Sequence, residues 1–418
     1  MKGDFSSQRE ERRHNFTGVL HQQGRVLLDS DWNAQTVIVN DWQDTAGRDI
    51  IGSGVAAIPS ENPNGFKITK AHHDAGKDVV LTVTPGRLWA DGLLAQLYGD
   101  PNPDVPSNPP QSAPDPEPAA DVTRTATYLQ TSAPTINAGD RDAVILELWR
   151  EEISGFQMPA MLVEAALGGP DTTERVHTAT AFRLMRLSAG EDCETIAGKL
   201  KDDWSKKGKL IVSLTKSTPG TGDCPTIASG GYTGFEHNLY RIEIADLDDM
   251  TVPLFKWSQY GGGLVGRGIF NANDITINAN TQAIINSGLK NYYLELLVYD
   301  DKRGRWRVTY GADATLNGSV LSLTTVLFGN ASGKPNANDT VFFRLWNGTA
   351  KIQDFVAQAT LLPNDVGINL KFDAPAADNY KPGDYWTFDV RVPVGDNTNP
   401  DPLVNNEPPK GIHYHRVP

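Results

Sequence analysis

Short runs of apolar and β-branched residues, separated by turn signals, extend through most of the chain. Such runs are typical of strands, because Gly, Pro and Asn at their ends interrupt the extended backbone. The pattern predicts a mainly β protein built from several sandwich- or barrel-like modules. The clearest runs are residues 79–84, 143–149, 239–244, 292–299, 340–346 and 385–392, with turns at Pro85-Gly86, Asn317-Gly318, Asn347-Gly348 and Pro382-Gly383.

Residues 29–50 follow a different period. Apolar and aromatic positions recur there at intervals of three and four, which predicts one long N-terminal helix, at about 30–50. We expect Ser30 to be its N-cap and Gly52 or Gly54 to end it. The two Trp residues are expected to pack against a core rather than bind a ligand. The shared face consists of Trp32, Gln35, Val39, Trp42 and Ala46.

Shifts in composition predict four regions. Residues 1–99 form an N-terminal docking region with the helix and short strands. Residues 100–121 contain eight prolines and are expected to form an extended surface linker or loop. Residues 122–260 form a central β domain, with an insertion at 188–231 that holds a short helix at 195–206. Residues 261–418 form a C-terminal β domain and an extended tail.

Charge and composition exclude several classes of protein. The 418 residues carry a net charge of −13, so we expect no nucleic-acid partner, because neutralising phosphates requires an excess of cations. No apolar run approaches a membrane span. The N-terminus is polar and lacks the apolar part of a signal peptide, so we expect synthesis in a cytoplasm. Cys193 and Cys224 are expected to be free, partly buried thiols, with a loop-closing disulfide as the alternative.

Few residues suggest chemistry. Gly261, Gly263 and Gly266 fit the dinucleotide pattern G-x-G-x-x-G, but no helix follows them, so a glycine turn is the better interpretation. The motifs of serine hydrolases and zinc proteases do not occur. The sequence therefore predicts no catalytic residues and no cofactor.

The pair His413 and His415 is the candidate metal site. Residues two apart share a face of an extended chain, so both imidazoles can reach one ion. Three copies around a threefold axis would then offer six nitrogens to a transition metal, which makes the site conditional on a trimer. The alternative is an exposed tail with ordinary histidines.

A series of local signatures runs along nearly the whole chain. The signatures are Lys2-Gly3-Asp4-Phe5, Gln22-Gln23-Gly24-Arg25-Val26, Ala166-Leu167-Gly168-Gly169-Pro170-Asp171-Thr172, Leu239-Tyr240-Arg241-Ile242-Glu243-Ile244, Phe255-Lys256-Trp257-Ser258 and Gly383-Asp384-Tyr385-Trp386. Their order and spacing resemble a family of structural-type proteins encoded with bacterial phage-tail-like contractile injection systems and in some phages. The match weakens in the proline-rich segment, at 188–222 and at 267–338.

The resemblance implies a structural or assembly role in such a particle, at its baseplate, in a fibre or at another peripheral position. It transfers no catalytic residue, so we expect no enzyme. Expected partners are baseplate, spike or sheath-proximal subunits, further copies of this chain, and a target-cell surface or membrane-associated protein. The alternatives are a receptor- or carbohydrate-binding tip protein and a polysaccharide hydrolase. Interface candidates are Phe5, Trp32, Trp42, Trp257 and Trp386.

Overall fold

The computed structural model describes residues 2–7, 14–52, 54–73, 78–97, 121–129, 134–167, 171–202, 208–219, 221, 227–234, 238–248, 252–329, 333–363, 366–373, 379–390, 402–410 and 415–417. The chain divides into two compact units. Unit 1 comprises residues 1–37, 206–298 and 308–412, and unit 2 comprises residues 38–205, 299–307 and 413–418.

The predicted long helix is confirmed. It begins at Asp29, whose carboxylate accepts hydrogen bonds from the backbone N of Ser6 (2.9 Å) and from its Oγ (2.6 Å). Asp29 therefore stands at the start of the helix in place of the predicted cap, Ser30. Gly52 follows the last turn with a φ of +117°, a conformation that favours glycine. The helices are α1 (Asp29–Ile51), α2 (Pro159–Leu162), α3 (Cys193–Asp202) and α4 (Thr281–Asn286).

Unit 2 contains two sheets. A three-stranded antiparallel sheet has the order β1-β4-β5, and a six-stranded sheet has the order β2-β3-β6-β8-β7-β25, in which only β6 and β8 are parallel. Strands β4 and β5 alternate buried and more exposed positions, the period expected of strands that cover a core. These strands are β1 (Ala56–Ala57), β2 (Ile68–His73), β3 (Val79–Val83), β4 (Gly86–Ala90), β5 (Leu93–Leu97), β6 (Val122–Tyr128), β7 (Asp142–Ile153), β8 (Arg175–Arg186) and β25 (His415–Val417).

The remaining strands form a closed barrel, two four-stranded sheets and a two-stranded sheet. The barrel order is β14-β15-β18-β17-β16-β19, and the other orders are β20-β13-β12-β23, β21-β22-β9-β24 and β10-β11. The strands are β9 (Leu210–Leu214), β10 (Thr218–Pro219), β11 (Ile227–Ser229), β12 (Asn238–Ile244), β13 (Leu254–Ser258), β14 (Val265–Asn271), β15 (Asp274–Ala279), β16 (Asn291–Asp300), β17 (Arg305–Asn317), β18 (Val320–Phe328), β19 (Thr340–Trp346), β20 (Gly348–Lys351), β21 (Thr360–Leu361), β22 (Ile368–Phe372), β23 (Tyr385–Val390) and β24 (Val404–Glu407).

Unit 1 has two apolar cores. One lies between its two four-stranded sheets and is rich in aromatic residues, among them Tyr240, Phe255, Phe372 and Trp386. The other fills the barrel. The prediction of a mainly β protein with sandwich- and barrel-like modules is therefore confirmed.

The units divide the chain differently from the predicted domains. The predicted boundary near residue 260 falls inside unit 1, because β12 and β13 pair with β23 and β20, which both follow that boundary in the chain. The predicted helix at 195–206 is present as α3. Cys193 is exposed rather than partly buried. Most of the proline-rich segment and Cys224 lie outside the described residues.

The glycine turn after β13 receives the N-terminus of the chain. The backbone N of Gly3 donates to the carbonyl of Gly261 (3.2 Å), and Gly261 itself has a φ of +61°. A Cβ on Gly261 would lie 2.2 Å from the carbonyl oxygen of Gly3, and one on Gly263 would lie 2.1 Å from the backbone N of Asp4. The turn therefore needs glycine both for its conformation and for close approach of a second backbone segment.

Gly261→Ala is expected to displace the N-terminal segment, because the added methyl group occupies the position of the Gly3 carbonyl. We expect faster hydrogen exchange at the amides of Gly3 and Phe5 and a lower free energy of unfolding in urea.

Gly318→Ala is the matched control. Gly318 has the same φ of +61° but no atom within 4 Å of its Cβ position. It should lose only the roughly 1 kcal/mol expected of a left-handed residue. Equal exchange rates at Gly3 in the two variants would contradict the docking described here.

Candidate assembly interface

A cluster of buried charges lies in unit 1, on the strand faces that point away from the apolar cores. On β12 and β13, apolar core residues alternate with Arg241, Glu243 and Lys256. Barrel strands β16 and β19 place Glu295 and Arg344 opposite each other. These five side chains belong to residues that are only 1–3% exposed. The strands β12 and β13 are thus covered on both faces.

Lys256 connects the two sets of strands. Its Nζ lies 3.1 Å from Glu243 Oε1 and 2.5 Å from Glu295 Oε1, and it lies 4.6 Å from the centre of the Trp346 ring. The indole of Trp346 donates to the second oxygen of Glu295 (2.8 Å). Because the ammonium contacts both carboxylates, Lys256 joins the sheet β20-β13-β12-β23 to the barrel wall.

Two more cations complete the surroundings of Glu243. Arg241 donates from Nε to Glu243 Oε2 (2.6 Å) and stacks on the ring of Tyr385, 3.5 Å from its centre. The Nζ of Lys2 donates to Glu243 Oε1 (3.2 Å). The docked N-terminus thereby adds a partly buried charge to the cluster.

The pKa values in the cluster reflect burial and pairing. Burial alone would raise the pKa of Glu243, but Lys2, Lys256 and Arg241 outweigh it and hold that pKa well below its ordinary value. Burial would lower the pKa of Lys256, but Glu243 and Glu295 hold it above its ordinary value. For Lys2, the effect of burial is larger than the attraction of Glu243, so the pKa of its ammonium group is lowered to about 8.

Perturbed carboxylates can mark catalytic sites, but these have a structural explanation. Glu243 is surrounded by cations of the same chain, and its side chain is 3% exposed. The arrangement stabilises an internal packing surface and anchors residues 2–7.

An apolar surface is found near the N-terminus. Among the described residues, eleven of the nineteen exposed large apolar side chains fall within positions 16–58. In residues 14–28, Leu20 is 93% and Val26 is 83% exposed. The signature at 22–26 forms a turn there, with Gly24 at a φ of +69°. The backbone N of Val19 donates to Gln35 Oε1 (2.7 Å), which attaches this segment to the first half of α1.

The predicted shared face of α1 is present, but its expected packing against a core is wrong. Trp32 is 60% and Trp42 is 70% exposed, while Val39 and Ile50 on the same side are also exposed. The buried side of the helix consists of the smaller residues Ser30 and Ala34 together with Ile38. The aromatic side of α1 therefore remains open to solvent and available to a partner.

The other candidate residues lie in different surroundings. Phe5 is half-buried in the docked N-terminus. Trp257 and Trp386 are 3% and 2% exposed and belong to the aromatic core, so their side chains offer no surface to a partner. His415 is the first residue of β25 and pairs with Leu148, whereas His413 lies outside the described residues. Within the described part of the chain, no group of three or more His, Cys, Asp or Glu is arranged to hold a metal.

Residues 1–202 match the sequence profile of a family of unknown function, DUF6519. This match includes the docked N-terminus, the exposed segment and α1. No curated protein and no solved structure gives a match. No helix in the described ranges is both long and apolar enough to cross a membrane.

Glu243→Gln is expected to destabilise the protein by about 3–5 kcal/mol, because it leaves buried cations without their shared carboxylate. The measurement is the free energy of unfolding in urea. The control is Glu61→Gln. The Glu61 side chain is 74% exposed and lies 3.8 Å from Arg87, so this substitution should change the free energy of unfolding by less than about 1 kcal/mol.

The lowered pKa of Glu243 predicts that the free energy of unfolding depends on pH. Because the pKa of Glu243 is lower in the folded protein than its ordinary value of 4.5, the unfolded chain takes up the proton first as the pH falls below about 4.5. The free energy of unfolding should therefore decrease in acid, and less steeply in Glu243→Gln. Parallel pH profiles for the two proteins would contradict this.

Truncation of the buried Trp386 and of the exposed Trp42 should change the free energy of unfolding by different amounts. Trp386→Ala is expected to cost about 3–5 kcal/mol in urea unfolding, because it opens a cavity in the aromatic core. Trp42→Ala should change stability by less than about 0.5 kcal/mol, because the side chain is 70% exposed. A comparable loss in both variants would show that Trp42 packs inside the free protein.

Proposed function

We propose that this chain is a structural subunit of a phage-tail-like contractile injection particle or of a phage virion, and that its N-terminal surface binds a neighbouring subunit. The observation that carries the proposal is the open apolar surface formed by the segment 14–28 and the aromatic face of α1. The particle itself is proposed from the resemblance of the sequence signatures.

The cost of ordering the segment supports this function. Holding a residue in one backbone conformation costs about 1–2 kcal/mol, and burial of side chains normally offsets that cost. Leu20 and Val26 recover almost none of it in the free chain, because they remain in water. Contact with a second subunit would bury them, as expected of an assembly surface.

The alternative of a carbohydrate-binding tip protein predicts exposed Trp and Tyr residues in the C-terminal half. Among the described residues of 261–418, every Trp and Tyr is buried or half-buried. The exposed aromatic groups lie near the N-terminus instead, at Phe16, Trp32 and Trp42. This distribution favours assembly through the N-terminal surface over glycan binding by the C-terminal half.

The proposal is tested in a host that assembles the particle. The tagged full-length chain should co-sediment with particles, and Val39→Asp should lower its incorporation about tenfold by placing a charge in the contact. Leu361→Asp is the matched control, since Leu361 is 43% and Val39 42% exposed in the free chain.

Both variants should unfold at nearly wild-type urea concentrations, since neither site is in a core. Absence of the wild-type chain from purified particles would contradict the proposed function. Equal incorporation of the two variants would contradict the assignment of this surface.

A further inference from the structure

The sequence contains three Asn-Gly pairs, at Asn64-Gly65, Asn317-Gly318 and Asn347-Gly348. An asparagine before glycine is prone to deamidation, because the glycine carries no Cβ to shield its nitrogen, which can attack the side-chain carbonyl carbon of the asparagine. In an unfolded chain the three pairs should therefore react at similar rates. The fold determines which pair stays reactive, since the attack needs a free glycine N–H and rotation of the asparagine backbone.

The pair Asn317-Gly318 lies at the end of the hairpin formed by β17 and β18. Asn317 pairs with Val320, which leaves Gly318 and Ser319 as a two-residue loop. Gly318 has a φ of +61°, which glycine favours at the first position of such a loop. All three residues from 317 to 319 are exposed, and the space around the Gly318 Cβ position is open. Solvent therefore reaches both residues of the pair.

The atoms that take part in deamidation are not held by hydrogen bonds at this pair. In the described ranges, neither the side-chain amide of Asn317 nor the backbone N of Gly318 forms one. The loop is fixed on its other side, where the carbonyl of Ser319 accepts from the backbone N of Ile277 (2.8 Å). Only the pairing of Asn317 with Val320 has to open, and the end of a hairpin opens at low cost.

The pair Asn64-Gly65 is held in a turn. The backbone N of Gly65 donates to the carbonyl of Asn62 (3.0 Å), and Gly65 is buried. The carbonyl of Asn64 accepts from the backbone N of Lys67 (3.1 Å). Attack by the Gly65 nitrogen would require this turn to unfold, although the Asn64 side chain itself is exposed.

The pair Asn347-Gly348 is held between strands. The backbone N of Asn347 donates to the carbonyl of Trp257 (2.8 Å), and its side-chain Oδ1 accepts from the backbone N of Gln259 (3.1 Å). Gly348 is the first residue of β20 and pairs with Trp257. The side-chain amide and the backbone on both sides of it are therefore fixed.

We propose that Asn317 is the position at which the folded protein deamidates. The backbone N of Gly318 bonds to Cγ of Asn317, the bond from Cγ to Nδ2 breaks, and ammonia leaves with the proton of the Gly318 N–H. The product is a five-membered succinimide. Water then adds to one of its two carbonyl carbons, and the ring opens to aspartate or isoaspartate. Water is the only co-reactant, and nothing is oxidised or reduced.

The product changes the hairpin end in two ways. Either form adds a carboxylate to the exposed loop. In isoaspartate the main chain also runs through Cβ and Cγ, which lengthens by one carbon the connection that sets the register of β17 against β18. The inference concerns the free chain and does not depend on the proposed function.

The test compares the three pairs within one protein. The purified full-length chain is incubated in mildly alkaline buffer, folded or in guanidinium chloride, and the three asparagines are followed by mass spectrometry in their separate tryptic peptides. In the folded chain Asn317 should react at nearly its unfolded rate. Asn64 and Asn347 should react at least about tenfold more slowly than when unfolded, because their hydrogen bonds must open first.

Two variants assign the acidic species that accumulates in the folded protein. Asn317→Gln should remove it, because glutamine would have to close a larger ring and reacts far more slowly. Asn64→Gln, at an equally exposed asparagine before glycine, should leave it unchanged. Protection of Asn317 equal to that of Asn347, faster reaction at Asn64, or persistence of the acidic species in Asn317→Gln would each overturn the inference.

Discussion

The contact of Lys256 with Glu243 and Glu295 is the interaction on which unit 1 depends. Two β modules meet there through strand faces that carry charge, and burial of either carboxylate without a cation would be strongly unfavourable. The ammonium satisfies both at once, and Arg241 and Lys2 supply the remaining charge. Packing of the barrel against the sheet β20-β13-β12-β23 therefore depends on the charges of these buried side chains.

This network also positions residues 2–4. Lys2 reaches Glu243 only because the glycine turn at 261–263 admits the backbone of Gly3 and Asp4. The first residues are thus held by the interior of unit 1, and the segment at 14–28 is attached to α1 through Gln35. The apolar residues of the segment 14–28 remain on the surface.

Local sequence patterns predicted the positions of the strands and of α1 well, but they predicted less well which faces of these elements are buried. Alternation and turn residues located the strands, and the three–four period located α1 within one residue at each end. The same period could not say which face of α1 is buried, because the small residues Ser30 and Ala34 cover the core there while Trp32 and Trp42 face solvent.

Burial of both faces of a strand depends on partners that lie far away in sequence. Lys256 alternates with the core residues Phe255 and Trp257, and its charged side is covered only by barrel strands that follow later in the chain. For the same reason the interface candidates Trp257 and Trp386 could not be distinguished from Trp42, whose exposure follows from tertiary packing.

Hydrogen exchange measured on the free chain and on the chain within purified particles tests the central claim most directly. The account predicts that assembly protects the amides of residues 14–28 and leaves those of Gly3 and Phe5 unchanged, because the docked N-terminus is already bound in the free protein. Protection confined to other parts of the chain, with residues 14–28 exchanging equally fast in both states, would contradict it.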